Sequence, residues 1–150
     1  MIRQNHSGEF MVNEINIDVK CIDGNNSILL DNILFRNCVY VDVFIDGHNV
    51  RGNPDFSDML VVYSELKKSV VNSGSFLIFT CACGVADDGG WKYVNVMHSD
   101  NYITWSFFTN NEYKYIFDRE TYIYHIKNIE RKLNKFKKHI LIPQFIVYPE

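Results

Sequence analysis

The first third of the chain alternates between apolar and polar residues. Between residues 11 and 22, apolar side chains occupy one face of an extended chain, and polar side chains including Glu14 and Asp18 occupy the other. A period of two with one polar face predicts a half-buried strand. Residues 27–30 predict a short second strand. Residues 33–45 predict a third, and we expect it to be covered on both sides because both of its faces are largely apolar.

The following segment has helical spacing. Asn53 can cap a helix, and Pro54 suits the first helical position. Apolar residues then recur at intervals of three and four from Phe56 onward, and the Asn-Ser-Gly sequence at 72–74 is a typical end signal. The pattern predicts a first helix over 54–72.

Strand patterns return in the second half of the chain. Residues 75–83 are mostly apolar and predict a central strand, and residues 84–90 predict a loop. Two further strands are predicted over 91–98 and 102–108, joined as a hairpin by a short turn. A short strand over 113–117 follows the next turn.

The last segment predicts a helix over 119–138 with Asp118 as its cap, because apolar residues recur there at alternating gaps of four and three. Pro143 ends this element, and residues 144–148 predict an edge strand. Together the elements predict one α+β domain over residues 1–150. Its sheet should be antiparallel or mixed, with the two helices packed on one face.

Charge is unevenly distributed along a chain whose formal net charge is −3. Residues 1–60 carry four basic and nine acidic side chains, whereas residues 61–150 carry 11 basic and nine acidic ones. An acidic first half disfavours nucleic acid and favours a basic protein as partner. The sequence has no apolar run of membrane-spanning length and no signal-peptide pattern, so we expect a cytoplasmic location with no membrane partner.

Four cysteines are present. In a cytoplasmic protein we expect reduced thiols. Cys21 and Cys38 lie in apolar stretches and are interpreted as small buried hydrophobic residues. Cys81 and Cys83 end the predicted central strand in a Cys-x-Cys-Gly turn. A structural role is favoured for this pair because zinc sites usually have paired clusters, with metal binding and redox chemistry as alternatives.

Catalytic spacings are missing from the sequence. The histidines form no recognised metal or catalytic motif, and Asp46-Gly47-His48 is interpreted as a turn. There is no Gly-x-Ser-x-Gly motif and no phosphate-binding glycine-rich loop. We therefore expect no enzymatic activity, no cofactor and no metal site.

About half of the chain resembles small bacterial proteins that have a Thr-Cys-x-Cys-Gly turn before a strand hairpin and a last helix. The matching features occur in this order: Thr80-Cys81-Ala82-Cys83-Gly84, Trp91, Thr104-Trp105 and Phe117-Asp118-Arg119-Glu120-x-Tyr122. In that pattern a further cysteine often follows the glycine, whereas Val85-Ala86-Asp87-Asp88 stands there in this chain. The difference weakens a metal-site interpretation.

Chain length, the acidic first half and the aromatic content also resemble the immunity proteins of bacterial toxin systems, including contact-dependent growth inhibition. Such a role implies a cognate toxin domain as partner. From charge and aromatic content we predict these partner-binding residues: Glu14, Asp18, Asp42, Asp46, Asp55, Asp58, Tyr40 and Phe44. The alternatives are a structural or oligomerising domain without catalytic activity, and a small metal-binding protein that uses Cys81 and Cys83. The sequence leaves the oligomeric state open.

Overall fold

A computed structural model describes residues 3–4, 10–30, 32–57, 59–82, 93–109, 111–144 and 146. Within these ranges the helices are α1 (Tyr63–Val71) and α2 (Arg119–Leu133). The strands are β1 (Arg3–Gln4), β2 (Phe10–Met11), β3 (Ile15–Ile22), β4 (Ile28–Leu30), β5 (Ile33–Phe35), β6 (Cys38–Ile45), β7 (His48–Asn49), β8 (Met59–Val61), β9 (Gly74–Phe76), β10 (Phe79–Cys81), β11 (Val94–His98), β12 (Tyr102–Phe108), β13 (Glu112–Asp118) and β14 (Ile140–Leu141). The predicted α+β class is confirmed.

The first sheet has the order β14-β6-β3, with β7 added to β6 beyond a tight turn. β3 and β6 are antiparallel over their full lengths, and Ile17 lies opposite Val43. β14 runs parallel to β6, so the sheet is mixed. Five of the odd positions of β3 and β6 are buried in the main core, as the alternation predicted: Ile15, Ile17, Val41, Val43 and Ile45. β6 is buried on both faces, which confirms the expectation of two-sided cover.

The second sheet is antiparallel and has the order β13-β12-β11-β9. It contains the predicted hairpin, now bounded as β11 and β12, and the strand that follows it. Its inner face is aromatic: Trp105 is fully buried and meets Phe117 edge to face, with 5.2 Å between the ring centroids. Such aromatic pairs add to the energy of burial.

α2 closes the main core against both sheets. Its buried residues Tyr122, Ile126 and Ile129 form the predicted seam. The predicted cap is also confirmed, because the Asp118 carboxylate accepts a hydrogen bond from the Thr121 backbone N–H at 2.9 Å. The helix ends at Leu133 and continues as a 3₁₀ turn, Asn134–Phe136, so it is shorter than the predicted 119–138. Most of the predicted strand over 144–148 lies outside the described residues.

The predicted helix over 54–72 is wrong in its first half. Pro54–Phe56 forms a 3₁₀ turn with Asn53 as its cap, Met59–Val61 is strand β8, and α1 begins only at Tyr63. β8 is buried on all sides and pairs antiparallel with β10. A helix with one apolar seam would leave part of this run exposed, whereas a strand between two cores buries all of it.

Two predicted strands are divided in the structure. The segment 33–45 breaks at Asn37, whose φ is 49°, so that β5 pairs with β4 while β6 pairs with β3. The segment 75–83 breaks at Leu77, and β9 and β10 then join different sheets. At this break the backbone N–H of Leu77 donates to the buried Glu65 carboxylate at 3.1 Å.

A second, smaller core covers the outer face of β6. It consists of these buried residues: Leu30, Cys38, Tyr40, Leu60, Ala82 and Ile142. Leu60 belongs to β8, which therefore contributes to both cores. Because of this second core, half of the face that the sequence predicted as a polar partner surface is enclosed.

Candidate functional site

The register of β3 and β6 places four of the predicted partner-binding residues, Asp18, Tyr40, Asp42 and Phe44, on this strand pair. Asp18 lies directly opposite Asp42 across the strand pair. Tyr40, Asp42 and Phe44 occupy alternate positions of β6 and therefore share its outer face. Where the strands end, the backbone N–H of Asp46 donates to the Glu14 carbonyl at 2.8 Å.

Asp42 is buried and paired, which corrects its predicted place on an open surface. Its side chain is 3% exposed, and Arg51 binds it through two hydrogen bonds: Nε to Oδ1 at 3.0 Å and a terminal nitrogen to Oδ2 at 3.1 Å. Burial raises the pKa of Asp42 more than Arg51 lowers it. Asp42 therefore acts as an internal ion-pair partner.

Tyr40 belongs to the same buried arrangement. It is 5% exposed, and its hydroxyl accepts a hydrogen bond from Arg51 at 3.3 Å. The Arg51 guanidinium also lies 5.0 Å from the centre of the Tyr40 ring, a cation–π distance. Tyr40 is thus placed to stabilise the fold, and it offers little contact area to a partner.

Asp46 lies in the tight turn between β6 and β7, with a φ of 54°. Its carboxylate accepts hydrogen bonds from the side-chain amide of Asn13 at 2.8 Å and from the backbone of Glu14 at 2.9 Å. Asn13 in turn accepts a hydrogen bond from the Ile116 backbone at 2.9 Å. These bonds fix Asp46 and the exposed Glu14 against the second sheet. The interpretation of Asp46-Gly47-His48 as a turn is confirmed.

Asp55 lies in the 3₁₀ turn Pro54–Phe56, which holds its position. The side chain of Asn53 accepts a hydrogen bond from the Asp55 backbone at 2.9 Å. The Asp55 carboxylate accepts hydrogen bonds from the Asn111 amide, at 2.9 Å, and from the Tyr113 hydroxyl. Burial, followed by the bond to Asp55, raises the pKa of Tyr113, so this phenol remains a proton donor at neutral pH.

An open cleft of about 540 Å³ is lined by Asp46 from the first of these groups and by Asn53 from the second. Its lining includes these side chains: Asp46, His48, Asn49, Asn53, Phe56 and Tyr115. None of the described residues that line it is a lysine or an arginine. We call this cleft, with Glu14 and Asp55 beside it, the acidic cleft. Its chemistry suits a cationic side chain flanked by apolar atoms, because carboxylates, amides and two aromatic rings are present together.

The remaining predicted residues are not among the described residues that line the acidic cleft. Asp18 is half-exposed and forms ion pairs with Lys20 at 3.4 Å and Lys132 at 3.9 Å. Phe44 is half-buried on the outer face of β6. Asp58 lies outside the described residues.

The expectation of reduced thiols fails at one described cysteine. Cys81 is disulfide-bonded, so the expectation of reduced thiols is wrong for this residue, and its sulfur is not a thiolate that could bind a metal. Cys83 lies outside the described residues. Cys38 is buried and free, as predicted.

Cys21 is half-buried and lies beside two other potential metal ligands. One ligand atom each from Cys21, Asp23 and His139 fall within 4.8 Å of one another. Burial, then the charge of Asp23, raise the pKa of the Cys21 thiol. The sequence analysis missed this cluster because His139 is more than a hundred residues from the other two, and no local spacing connects them.

Comparisons with known proteins give no match to this chain among protein-family models, curated proteins or solved structures. The resemblance to immunity proteins therefore stays a hypothesis. Within the described ranges, neither helix has the length and apolar character needed to cross a membrane.

Proposed function

We propose that this protein is a bacterial immunity protein that neutralises a cognate toxin domain by binding it at the acidic cleft. The observation that carries the proposal is the carboxylate of Asp46 in the lining of the cleft, with Glu14 bonded to it through the backbone and Asp55 between the lining residues Asn53 and Phe56 in the sequence. The described lining includes no lysine or arginine. A basic surface on the partner would be attracted to this region, because carboxylates that lie close together reinforce one another's negative potential.

The hydrogen bonds within the cleft favour binding over mere solvation. Asp46 and Asp55 are each held by two side-chain or backbone donors, so little side-chain freedom is lost when a partner arrives. Phe56 and Tyr115 add apolar contact area in the lining. A partner arginine or lysine can then pair with a carboxylate while its aliphatic part packs on the rings.

The test is co-expression with the toxin domain encoded beside this protein, scored by growth and by association kinetics with the purified domain. The double variant Glu14→Lys with Asp46→Asn removes charge from the cleft, and asparagine tolerates the positive φ at position 46. We expect the association rate constant to fall on the order of 10-fold at low salt, and the parent's rate to depend more steeply on salt than the variant's.

A matched control makes the same change of charge elsewhere. Asp100 and Glu120 are exposed and lie near the start of β12, at the opposite end of that strand from Asn111. Glu120→Lys with Asp100→Asn should therefore leave association and protection nearly unchanged. If the control variant loses protection as much as the cleft variant does, net charge rather than the cleft governs binding. Full protection and unchanged kinetics in the cleft variant would exclude the acidic cleft as the binding surface.

A further inference from the structure

The end of β3 and the segment before β14 bring a sulfur, an imidazole and a carboxylate together. The three residues are Cys21, Asp23 and His139, and their ligand atoms all lie within 4.8 Å of one another. Nε2 of His139 is 3.5 Å from Oδ1 of Asp23. Among the described residues this is the one group of three such side chains that could hold a metal ion.

Regular backbone structure positions each member of the cluster. Cys21 is the penultimate residue of β3, where it lies opposite Val39 of β6. Asp23 opens the turn that follows, in which its carboxylate accepts a hydrogen bond from the Gly24 backbone at 2.8 Å. Cys21 and Asp23 are two residues apart at the end of a strand, so their side chains point the same way.

His139 comes from a different part of the chain. Its backbone N–H donates to the Phe136 carbonyl at 3.0 Å, which closes the turn after α2. The next residue, Ile140, begins β14 and pairs in parallel with Cys38 at the start of β6. The parallel pairing therefore sets the position of His139 next to the end of β3, independently of any contact with Asp23.

We propose that Cys21, Asp23 and His139 form a zinc-binding site, with the Cys21 sulfur, the His139 Nε2 and an Asp23 oxygen as ligands and water in the fourth position. A thiolate together with an imidazole selects a borderline-soft ion such as Zn²⁺ over Ca²⁺ or Mg²⁺, which prefer all-oxygen sites. Three protein ligands and one water complete the tetrahedral geometry that zinc adopts.

The ordinary alternative is a hydrogen bond or salt bridge between His139 and Asp23, whose Nε2 and Oδ1 atoms are 3.5 Å apart. Nδ1 of His139 is buried and has no hydrogen-bond partner among the described residues. Because Nδ1 carries a proton both in a charged ring and in a neutral ring that binds zinc through Nε2, this nitrogen does not distinguish the two arrangements, and a metal titration does.

A metal ion here would join two parts of the chain that are far apart in sequence. It would tie the end of β3 to the segment between α2 and β14, past the start of β6, which lies between β3 and β14 in the first sheet. Because a ligand that binds only the folded state stabilises it, zinc should raise the unfolding temperature of the protein. This role is independent of the acidic cleft.

The experiment uses the full chain, purified without added metal and stripped with a chelator, and titrates it with Zn²⁺ or Co²⁺ alone. We expect one equivalent of either ion to bind and a thiolate-to-Co²⁺ charge-transfer band to appear. Cys21→Ser should abolish that band. Asp23→Asn and His139→Gln should weaken binding at least about 10-fold, the smallest loss typical even for residues that only support a ligand.

Two controls separate metal ligation from loss of folding. His125→Gln changes a half-buried histidine outside the cluster and should retain the parent's affinity. Asp23 is 68% exposed, so Asp23→Asn should keep the metal-free unfolding temperature while losing the rise that zinc produces. No thiolate band with Co²⁺, or equal affinities in the parent and Asp23→Asn, would overturn the proposal.

Discussion

Asp42 and Asp46 are four residues apart in one hairpin, yet their carboxylates lie in opposite environments. Asp42 is 3% exposed and bound by Arg51. Asp46 is half-exposed and lines the acidic cleft, where it is held by Asn13 and the Glu14 backbone. The contrast shows that an alternating pattern can place a residue on a face of a strand, while other segments decide whether that face meets water.

In this protein, the segment between β7 and α1 determines which part of β6 is buried and which part meets water. Arg51 lies in the 3₁₀ turn Val50–Gly52, and Leu60 lies in β8; both cover the part of β6 that carries Tyr40 and Asp42. Farther along β6, Phe44 is only half-buried, and Asp46 in the following turn lines the open cleft. The two halves of the hairpin therefore serve different purposes: the first stabilises the fold, and the second forms the proposed binding surface.

The largest effect should come from breaking the buried ion pair. Arg51→Ala leaves the Asp42 carboxylate buried without its partner, and we expect a loss of about 3–5 kcal/mol in the free energy of unfolding. Urea denaturation followed by circular dichroism measures it. The double variant Asp42→Leu with Arg51→Met should recover most of that loss, because an apolar pair leaves no charge to solvate. A loss below about 1 kcal/mol in Arg51→Ala, as for a surface ion pair, would mean that water reaches Asp42.

Tyr122 belongs to a buried hydrogen-bonded network that carries no charge, and breaking this network should destabilise the protein less than breaking the ion pair. The Tyr122 hydroxyl accepts a hydrogen bond from the Trp105 indole at 3.0 Å and bonds to the Ser69 hydroxyl at 2.6 Å. Burial raises the pKa of Tyr122 to about 12, so the group stays uncharged. Tyr122→Phe leaves the indole N–H unpaired and should cost about 1–3 kcal/mol. Tyr124 is 62% exposed, and Tyr124→Phe should leave the unfolding midpoint unchanged.

The pH dependence of the ion pair gives a third test. Because burial raises the folded-state pKa of Asp42, the folded protein binds this proton more readily than the unfolded chain does. This residue's contribution to stability therefore falls as the pH rises from the ordinary carboxyl pKa through the raised one. Removing Arg51 removes a group that lowers this pKa, so the destabilisation in Arg51→Ala should shrink as the pH is lowered from about 8 to about 5. Equal losses at both pH values would show that Asp42 is not the group that Arg51 neutralises.

Local patterns were sufficient wherever neighbouring residues determine the structure. The alternation in β3, the hairpin of β11 and β12, and the capped helix α2 all follow from short-range spacing. Helical spacing gave a wrong prediction over 54–62. A fully buried apolar run is compatible with a helix or a strand, and its pairing with β10 makes this segment a strand.

The candidate sites depend on contacts that short-range spacing does not encode. The sequence identified Glu14, Asp46 and Asp55 as acidic candidates, and the structure places Asp46 in the lining of the cleft and bonds the Glu14 backbone to it. The pairing of Asp42 with Arg51 was missed, although a lone cation nine residues after a strand carboxylate is a signal that could have suggested it. Cys21 and His139 gave no such signal, because the parallel pairing of β14 with β6 brings them together.

The smallest change in stability should come from a substitution at Glu14, which lies beside the exposed turn that contains Asp46. Glu14 is exposed, so Glu14→Lys should change the free energy of unfolding by no more than about 0.5 kcal/mol. In the proposed function the same variant slows association with the toxin domain, because a positive charge then stands beside Asp46. Urea denaturation and association kinetics on one preparation measure both quantities. Arg51→Met with Asp42→Leu should leave association unchanged, because it replaces the buried pair without changing the net charge, whereas Arg51→Ala should lower stability. If Glu14→Lys instead unfolds the protein, or the apolar pair slows association, the division of this hairpin into a structural half and a binding half is wrong.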